Sequence, residues 1–284
     1  MTLPLSKTPL VSVCIVCFSP GEVFRSTLRS VQDQTYKHLE ILILDNAPDG
    51  KIEEILCQYK DPRIQYFSSP ENLWPYGGLN YLLDRAKGEY IATQDHDDLW
   101  HRDKIERQVQ FLNTHANLIA CGTKSVMYYE WDQFYFEYLI GKAKGYVIHP
   151  SLMFRRTDAR YSDETTYMAD AFFQKNILTQ SSDQIQEIEE ALTLHRIIKG
   201  AANYSYRWFQ FTQNTISQVY KTHAFLYATC VIGWECMRKV VYPFLSLIGR
   251  QNSIDGLERI PFWLMGKRAQ KSTGSEWWSS LLKE

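Results

Sequence analysis

Apolar runs and amphipathic stretches alternate through the first hundred residues. Residues 11–18 form a Val- and Ile-rich run closed by Ser19-Pro20-Gly21, which predicts a strand followed by a turn. Residues 22–34 carry Val23, Leu28 and Val31 at helical spacing, and residues 39–44 form a second strand-like run closed by a loop that opens with Asp45 and Asn46. The rhythm continues with a helix over 52–59, a short strand over 64–67, a helix over 78–86 and a fourth strand over 90–93 that runs into Gln94-Asp95-His96-Asp97-Asp98. Strands alternating with helices at this interval predict an α/β unit with a mostly parallel central sheet flanked by helices. Three of the four strands end in polar or acidic loops, at Ser19, Asp45 and residues 95–98. Open parallel sheets bind ligands beyond the carboxyl ends of their strands, so these loops are expected to converge on one crevice.

Beyond residue 116 the pattern is less regular. Residues 118–122, 125–129 and 149–156 read as strand material, residues 166–178 as a helix, and residues 183–192 as a helical or edge surface whose carboxylates form a solvated face. The pattern divides the chain into residues 1–115, 116–220 and 221–284. The last segment carries 9 basic and 5 acidic side chains and four of the eight tryptophans, Trp234, Trp263, Trp277 and Trp278. Its apolar blocks are shorter than the ~20 residues a spanning helix needs. Basic residues interleaved with Trp and Leu suit helices lying on an anionic membrane surface, and equally suit helices packing on the main domain.

Composition narrows the classes. Lys and Arg number 31 against 32 Asp and Glu, a net charge of −1, which argues against a nucleic-acid partner held by phosphate attraction. With 14 Gly and 10 Pro the chain is neither collagen-like nor compositionally disordered. The cysteines at 14, 17, 57, 121, 230 and 236 lie in apolar stretches and lack the partners of a zinc site, which predicts reduced core thiols. The apolar run near the N-terminus is too short to span a bilayer and lacks a small-residue cleavage site, so a cytoplasmic location is expected.

The acidic cluster holds the most chemistry. Three carboxylates at a strand end, Asp95, Asp97 and Asp98, repel one another unless a cation sits among them, and carboxylates favour Mg²⁺ or Mn²⁺. An EF-hand is excluded because Leu99 and Trp100 occupy positions that need a ligand and a glycine. The other reading is an acidic turn capping the following helix. Asp45, in an ordinary turn, could equally read the donor edge of a nucleobase. His96 among the carboxylates reads as charge compensation, His149 before a proline as a satisfied loop histidine or one that approaches the active site, and Trp74 and Trp100 as either core or stacking residues.

Taken in order, Val11-Ser-Val-Cys-Ile-Val-Cys-Phe-Ser19, Ser30-Val-Gln-Asp-Gln-Thr-Tyr36, Leu39-Glu-Ile-Leu-Ile-Leu-Asp45-Asn46, residues 72–80, Ala86-Lys-Gly-Glu-Tyr-Ile91 and Asp95-x-Asp97-Asp98-Leu-Trp100 resemble the family 2 glycosyltransferases of the GT-A fold. The resemblance is tight over residues 9–115 and loose to about 205. It implies a Rossmann-like sheet and a nucleotide-diphosphate sugar held by Phe18, Asp45, Asn72, Asp95 and Asp97. It also implies a divalent metal at Asp97, Asp95 and Asp98, and a general base at Asp170. What it implies of the reaction is an inverting transfer to a saccharide or lipid-linked hydroxyl acceptor in cell-surface polysaccharide or glycolipid synthesis, at the inner face of the cell membrane if the tail binds there.

Several positions depart from the family pattern. Val16-Cys17-Phe18-Ser19 replaces Pro-Thr-Tyr-Asn, Ala169 replaces a Glu before Asp170, and Ile198 stands where a histidine is common, with His195 and Arg196 nearby. These departures motivate the alternative of a catalytically silent nucleotide-sugar-binding scaffold; nucleotidyl transfer is a further one.

Overall fold

Two strands set the frame because both of their faces are covered. β1 (Val11–Cys17) and β2 (Leu39–Asn46) pair in parallel, and β2 is buried along its whole length. Continuous apolar runs are what such a position demands. The computed structural model describes residues 8–46, 51–130, 133–138, 146–162, 169–179, 181–198 and 270–283. Within them α1 (Val23–Gln32), α2 (Lys51–Leu56), β3 (Ile64–Ser69), α3 (Trp74–Leu83), β4 (Tyr90–Asp95), β5 (Leu99–Trp100) and α4 (Lys104–Thr114) follow in order. Then come β6 (Ala120–Tyr129), β7 (Phe134–Tyr138), β8 (Met153–Arg155), α5 (Ala169–Phe172), β9 (Ile185–Ile197) and β10 (Gln270–Lys271).

The strands form one mixed sheet in the order β10-β7-β6-β8-β4-β1-β2-β3, with β9 pairing both β5 and β6. β4, β1, β2 and β3 are mutually parallel. Strand order reverses at β1, since β2 and β3 lie on one side of it and β4 on the other. That reversal opens a ligand crevice at the carboxyl ends. One apolar cluster packs Phe24, Leu28 and Val31 of α1 and Ile105, Val109 and Leu112 of α4 on one face. The other packs Leu79, Leu82 and Leu83 of α3 with Phe154, Tyr161 and Phe173 on the opposite face.

Several boundaries shift for local reasons. α3 begins four residues before the expected start because Pro75 fits the first helical turn, where its missing N–H costs nothing. The expected strand over 149–156 is a 3₁₀ turn, His149–Ser151, followed by β8. Of residues 183–192, read as a helical or edge surface, those from Ile185 on are strand, after a 3₁₀ turn at Ser182–Gln184: β9 pairs with β6 through register shifts around Lys124, where Glu189 and Glu190 are exposed side by side. Cys14, Cys17 and Cys121 are buried free thiols as expected, whereas Cys57 is exposed just after α2. Residues 221–269, most of the expected helical extension, lie outside the described residues, as do Cys230, Cys236 and residues 163–168. Gln270–Lys271 adds to the β7 edge, and Trp278 is buried against Leu99, Val126, Tyr128 and Leu194. No helix among the described residues is long and apolar enough to cross a membrane.

The core also takes in a lysine. Lys104 is fully buried, its Nζ donates to Gln108 Oε1 at 2.7 Å and lies 3.8 Å from the centre of the Trp100 ring. Burial lowers its pKa to about 7.

Candidate active site

Register decides which groups meet at the carboxyl rim. Val16 pairs with Asp95 and Cys17 with Asp45, so the two carboxylates stand on strands flanking β1, one row apart. Because side chains alternate along a strand, they leave the sheet on opposite faces. Asp45 is buried and accepts from the Tyr66 hydroxyl at 3.2 Å. Burial, then the Asp45 charge, pushes the Tyr66 hydroxyl up to about 12, which keeps it a donor at neutral pH. Both Asp45 and Asp97 add to the burial that raises the Cys17 thiol, so Asp97 lies within electrostatic reach of the Asp45 side.

The next residues at the rim are Phe18, which is 39% exposed, and Ser19, whose φ is +44°. Asn72 does not reach out alone: its Oδ1 accepts from Asn46 Nδ2 at 3.0 Å and from the Trp74 N–H at 2.8 Å. Asn46 in turn accepts from the Leu73 N–H and donates to the Trp74 carbonyl. This net ties the loop after β3 to the tip of β2. It holds Trp74 at φ +58° and 57% exposed.

On the far side of β4 the acidic loop is locked by β9. Leu99 pairs with Leu194 in antiparallel fashion, which sets His195 opposite Asp98. His195 Nδ1 lies 2.7 Å from Asp98 Oδ2, and the Arg196 N–H donates to Asp98 Oδ1 at 2.8 Å. Asp98 is fully buried. That burial, with Asp97 and Asp95 nearby and against the pull of His195, raises its pKa to about 6. For His195 burial works downward, but the Asp98 charge and hydrogen bond, with Asp95 and Asp97 behind them, lift it to about 9.

Asp95 has its own imidazole. His149 Nδ1 sits 3.3 Å from Asp95 Oδ1, and His149 Nε2 is 2.9 Å from the Tyr161 hydroxyl. Burial would raise Asp95, but the hydrogen bond and charge of His149, with His195 and His96, hold it below the usual carboxylate value. His149 is raised in return: burial opposes, and Asp95, Asp170 and Asp98 outweigh it. The field of Asp170 at His149 ties the start of α5 to this end of the sheet. Asp170 Oδ2 accepts from the Tyr146 hydroxyl at 3.0 Å. Ala169 beside it is buried.

Asp95, Asp98 and His195 each offer one ligand atom within 4.8 Å of the others. Two of the three carboxylates expected around a metal are thus joined by an imidazole, and Asp97 is not in the group. The carboxylate oxygens suit Mg²⁺ or Mn²⁺, and the imidazole shifts preference towards the transition metal. A cation there would also relieve the repulsion that raises Asp98, so the donor set fits. His195 was legible only as a neighbour of Ile198. Once residues 185–197 are a strand, its register delivers the imidazole. The pairing of His149 with Asp95, and of Tyr161 with His149, was missed because the contact with Asp95 spans 54 residues and leaves no local pattern.

Solved structures of low sequence identity share the fold. S. aureus TarS 1–349 in complex with UDP-GlcNAc matches 74% of this chain and 64% of its own at 14% identity, with a TM-score of 0.56. The mannosyltransferase PcManGT from Pyrobaculum calidifontis, in complex with GDP-Man and Mn²⁺, matches 76% of this chain and 64% of its own at 16% identity, with a TM-score of 0.55. These likenesses carry the fold: the GT-A arrangement of a mostly parallel mixed sheet flanked by helices. In sequence, the chain is 35% identical over 105 residues, 37% of this chain, to the Escherichia coli UDP-Glc:alpha-D-GlcNAc-diphosphoundecaprenol beta-1,3-glucosyltransferase WfaP, of which 42% is covered. The chain spans less than half the length of the curated relatives it matches. The family model for glycosyl transferase family 2 covers residues 12–178, more than half of the sequence. The chain belongs to glycosyl transferase family 2.

Proposed function

We propose that this chain transfers a sugar, with inversion at the anomeric carbon, from a nucleotide-diphosphate sugar to a hydroxyl acceptor in cell-surface polysaccharide or glycolipid synthesis. The observation that carries the reading is the grouping of Asp95, Asp98 and His195, each offering a ligand atom within 4.8 Å of the others, at the carboxyl rim one strand row from Asp45.

In this reading Phe18 and Asp45 receive the nucleobase, Asp45 being the acceptor for a base N–H, and the Asn46–Asn72 net shapes the loop beside it. Asp95 and Asp97 face the ribose and diphosphate. Asp95, Asp98 and His195 would hold a divalent cation, Mn²⁺ or Mg²⁺, whose charge offsets the charge growing on the leaving diphosphate. Asp170 takes the proton of the attacking hydroxyl, and its bond from Tyr146 fixes the carboxylate in place. The acceptor is a saccharide or a lipid-linked saccharide. With the latter, the reaction lies at the cytoplasmic face of a membrane reached through residues 221–284, and deleting them should then abolish liposome binding.

A nucleotide-release assay with and without Mn²⁺, across UDP- and GDP-sugars, tests the reading. Release of nucleoside diphosphate that needs Mn²⁺ and vanishes in Asp170→Ala, while that variant still binds donor, is the expected result. Binding with no turnover on acceptor or water would mark a silent scaffold, and pyrophosphate release would mark nucleotidyl transfer.

A further inference from the structure

Asp95 is gripped by a buried relay that reaches back into the helical layer. The proton positions can be reasoned from the partners. Burial, reinforced by Tyr76, Asp170, Cys14 and Asp95, pushes the Tyr161 hydroxyl far above its ordinary range, so it remains a phenol. With neutral imidazole, the phenol donates to Nε2, and the ring proton must sit on Nδ1, facing Asp95. With imidazolium, both nitrogens carry protons and the phenol oxygen accepts. In either state Nδ1–H points at Asp95 Oδ1.

The relay is rigid at both ends. The Thr93 hydroxyl donates to the His149 carbonyl at 2.7 Å, so the histidine is tied to β4 through two residues of that strand, Thr93 and Asp95. Tyr161 is clamped through its backbone: its N–H donates to Asn80 Oδ1 at 2.8 Å and its carbonyl accepts from Asn80 Nδ2 at 2.9 Å. Its ring is stacked between Tyr76, at 5.3 Å, and Phe173, at 4.0 Å. Asn80 and Tyr76 both belong to α3, so the helix fixes the tyrosine, the tyrosine the imidazole, and the imidazole the carboxylate.

We propose that His149, supported by Tyr161, is a positioning residue for the donor site. It holds one oxygen of Asp95 so that the other stays turned to the cation and the ribose–diphosphate. This rests on the donor reading above. Partners that orient a ligating carboxylate are commonly worth 10- to 100-fold in metal affinity. The proposal does not depend on whether His149 is charged.

The test is calorimetric titration of the full chain with UDP, and separately GDP, in the presence of Mn²⁺, together with melting temperatures. His149→Leu removes the donor. His149→Asn keeps an N–H near the Nδ1 position. Tyr161→Phe keeps the aromatic stack and removes only the hydroxyl. Expected is a loss of about 10- to 100-fold in Mn²⁺-dependent nucleotide affinity for His149→Leu. Tyr161→Phe should lose several-fold with an unchanged melting temperature, and His149→Asn should recover most of the affinity. Wild-type affinity in a folded His149→Leu, or equal losses in the Leu and Asn variants, overturns the positioning role alone. Should His149→Leu not fold, Tyr161→Phe decides by itself, and unaltered affinity there overturns the role. A wild-type chain that binds neither nucleotide with Mn²⁺ overturns the donor reading and the role with it.

Discussion

His195 Nδ1 and Asp98 Oδ2 lie 2.7 Å apart across 97 residues of chain, joined by the antiparallel pairing of β5 with β9. The pair makes two demands on metal binding. Both groups must be present, and His195 must be neutral to offer its nitrogen. His195→Ala and Asp98→Asn should each weaken Mn²⁺ binding by at least about tenfold, given that ligands outweigh their supporting partners. Since the Asp98 charge lifts His195 to about 9, Mn²⁺ must displace a proton below that pH. Affinity should rise with pH between 6.5 and 8.5, by at most about tenfold per unit for one proton released. Manganese titrations followed by electron paramagnetic resonance at three pH values check this. A pH-independent affinity would remove His195 from the ligand set.

Lys104 predicts a pH dependence of stability rather than of binding. Its pKa falls from the ordinary lysine value to about 7 in the folded chain because burial penalises the charged amine. Between pH 7 and 10 the unfolded chain therefore binds the extra proton, and stability rises with pH across that window. Below pH 7 both states are protonated and the full penalty applies. Lys104→Met has no such group, so the wild type should gain on the variant between pH 7 and 10, by at most about 1.4 kcal/mol per unit. Urea unfolding of both proteins at pH 7, 8.5 and 10 measures the gain, and parallel curves would show that Lys104 keeps an ordinary pKa.

The legible parts of this fold are those where one residue's environment is set by its neighbours in sequence. β1 and β2 read correctly because strands buried on both faces must be apolar throughout, and the placement of Asp45 and Asp95 near strand ends is legible because a polar residue closes each apolar run. β9 was obscured because Glu187, Glu189 and Glu190 break its alternation; only the Leu192, Leu194 and Arg196 half, buried against β5 and β6, carries the strand signature. The metal group illustrates the same limit. Two of its members are six residues or fewer from a visible strand end, while the third depends on a register between distant strands. Nor could the sequence reveal that Asn72 is occupied by Asn46, since that bond exists only once β2 and the loop after β3 are side by side.

Gly88 is fixed by contact rather than by backbone conformation. A Cβ there would lie 2.5 Å from the Ser12 backbone nitrogen and 2.7 Å from the Tyr90 carbonyl oxygen, both at the entry to paired strands. Its N–H also donates to Ser12 Oγ, which donates to the buried Glu40 carboxylate that the Lys87 N–H and Gln65 complete. Gly88→Ala must push β1 and β4 apart or break this net. It should cost about 2–3 kcal/mol, as overpacking in a rigid region does, without changing nucleotide affinity in the fraction that remains folded. Denaturant unfolding beside calorimetric titration separates the two effects. A variant as stable as the wild type would mean that the strand entry yields more easily than its backbone contacts indicate.

Trp278 tests what the end of the chain does. Its indole is 4% exposed, packs on Leu99, Val126, Tyr128 and Leu194, and meets Tyr135 edge-on at 5.2 Å. Leu99 and Leu194 are the paired residues next to Asp98 and His195, so this tryptophan covers the back of the metal group. Its Nε1 is buried with no hydrogen-bond partner, so the contribution is apolar contact, offset by an unsatisfied N–H. Trp278→Ala should therefore cost about 3–5 kcal/mol, whereas Trp278→Phe, which removes the unsatisfied donor and keeps a ring, should cost under about 1.5 kcal/mol. Because the lost contacts support β5, Mn²⁺ affinity should fall in the Ala variant and hold in the Phe variant. Liposome binding should be the same in all three proteins if Trp278 serves packing; its loss in a fully stable Trp278→Ala would instead assign the indole to a membrane surface.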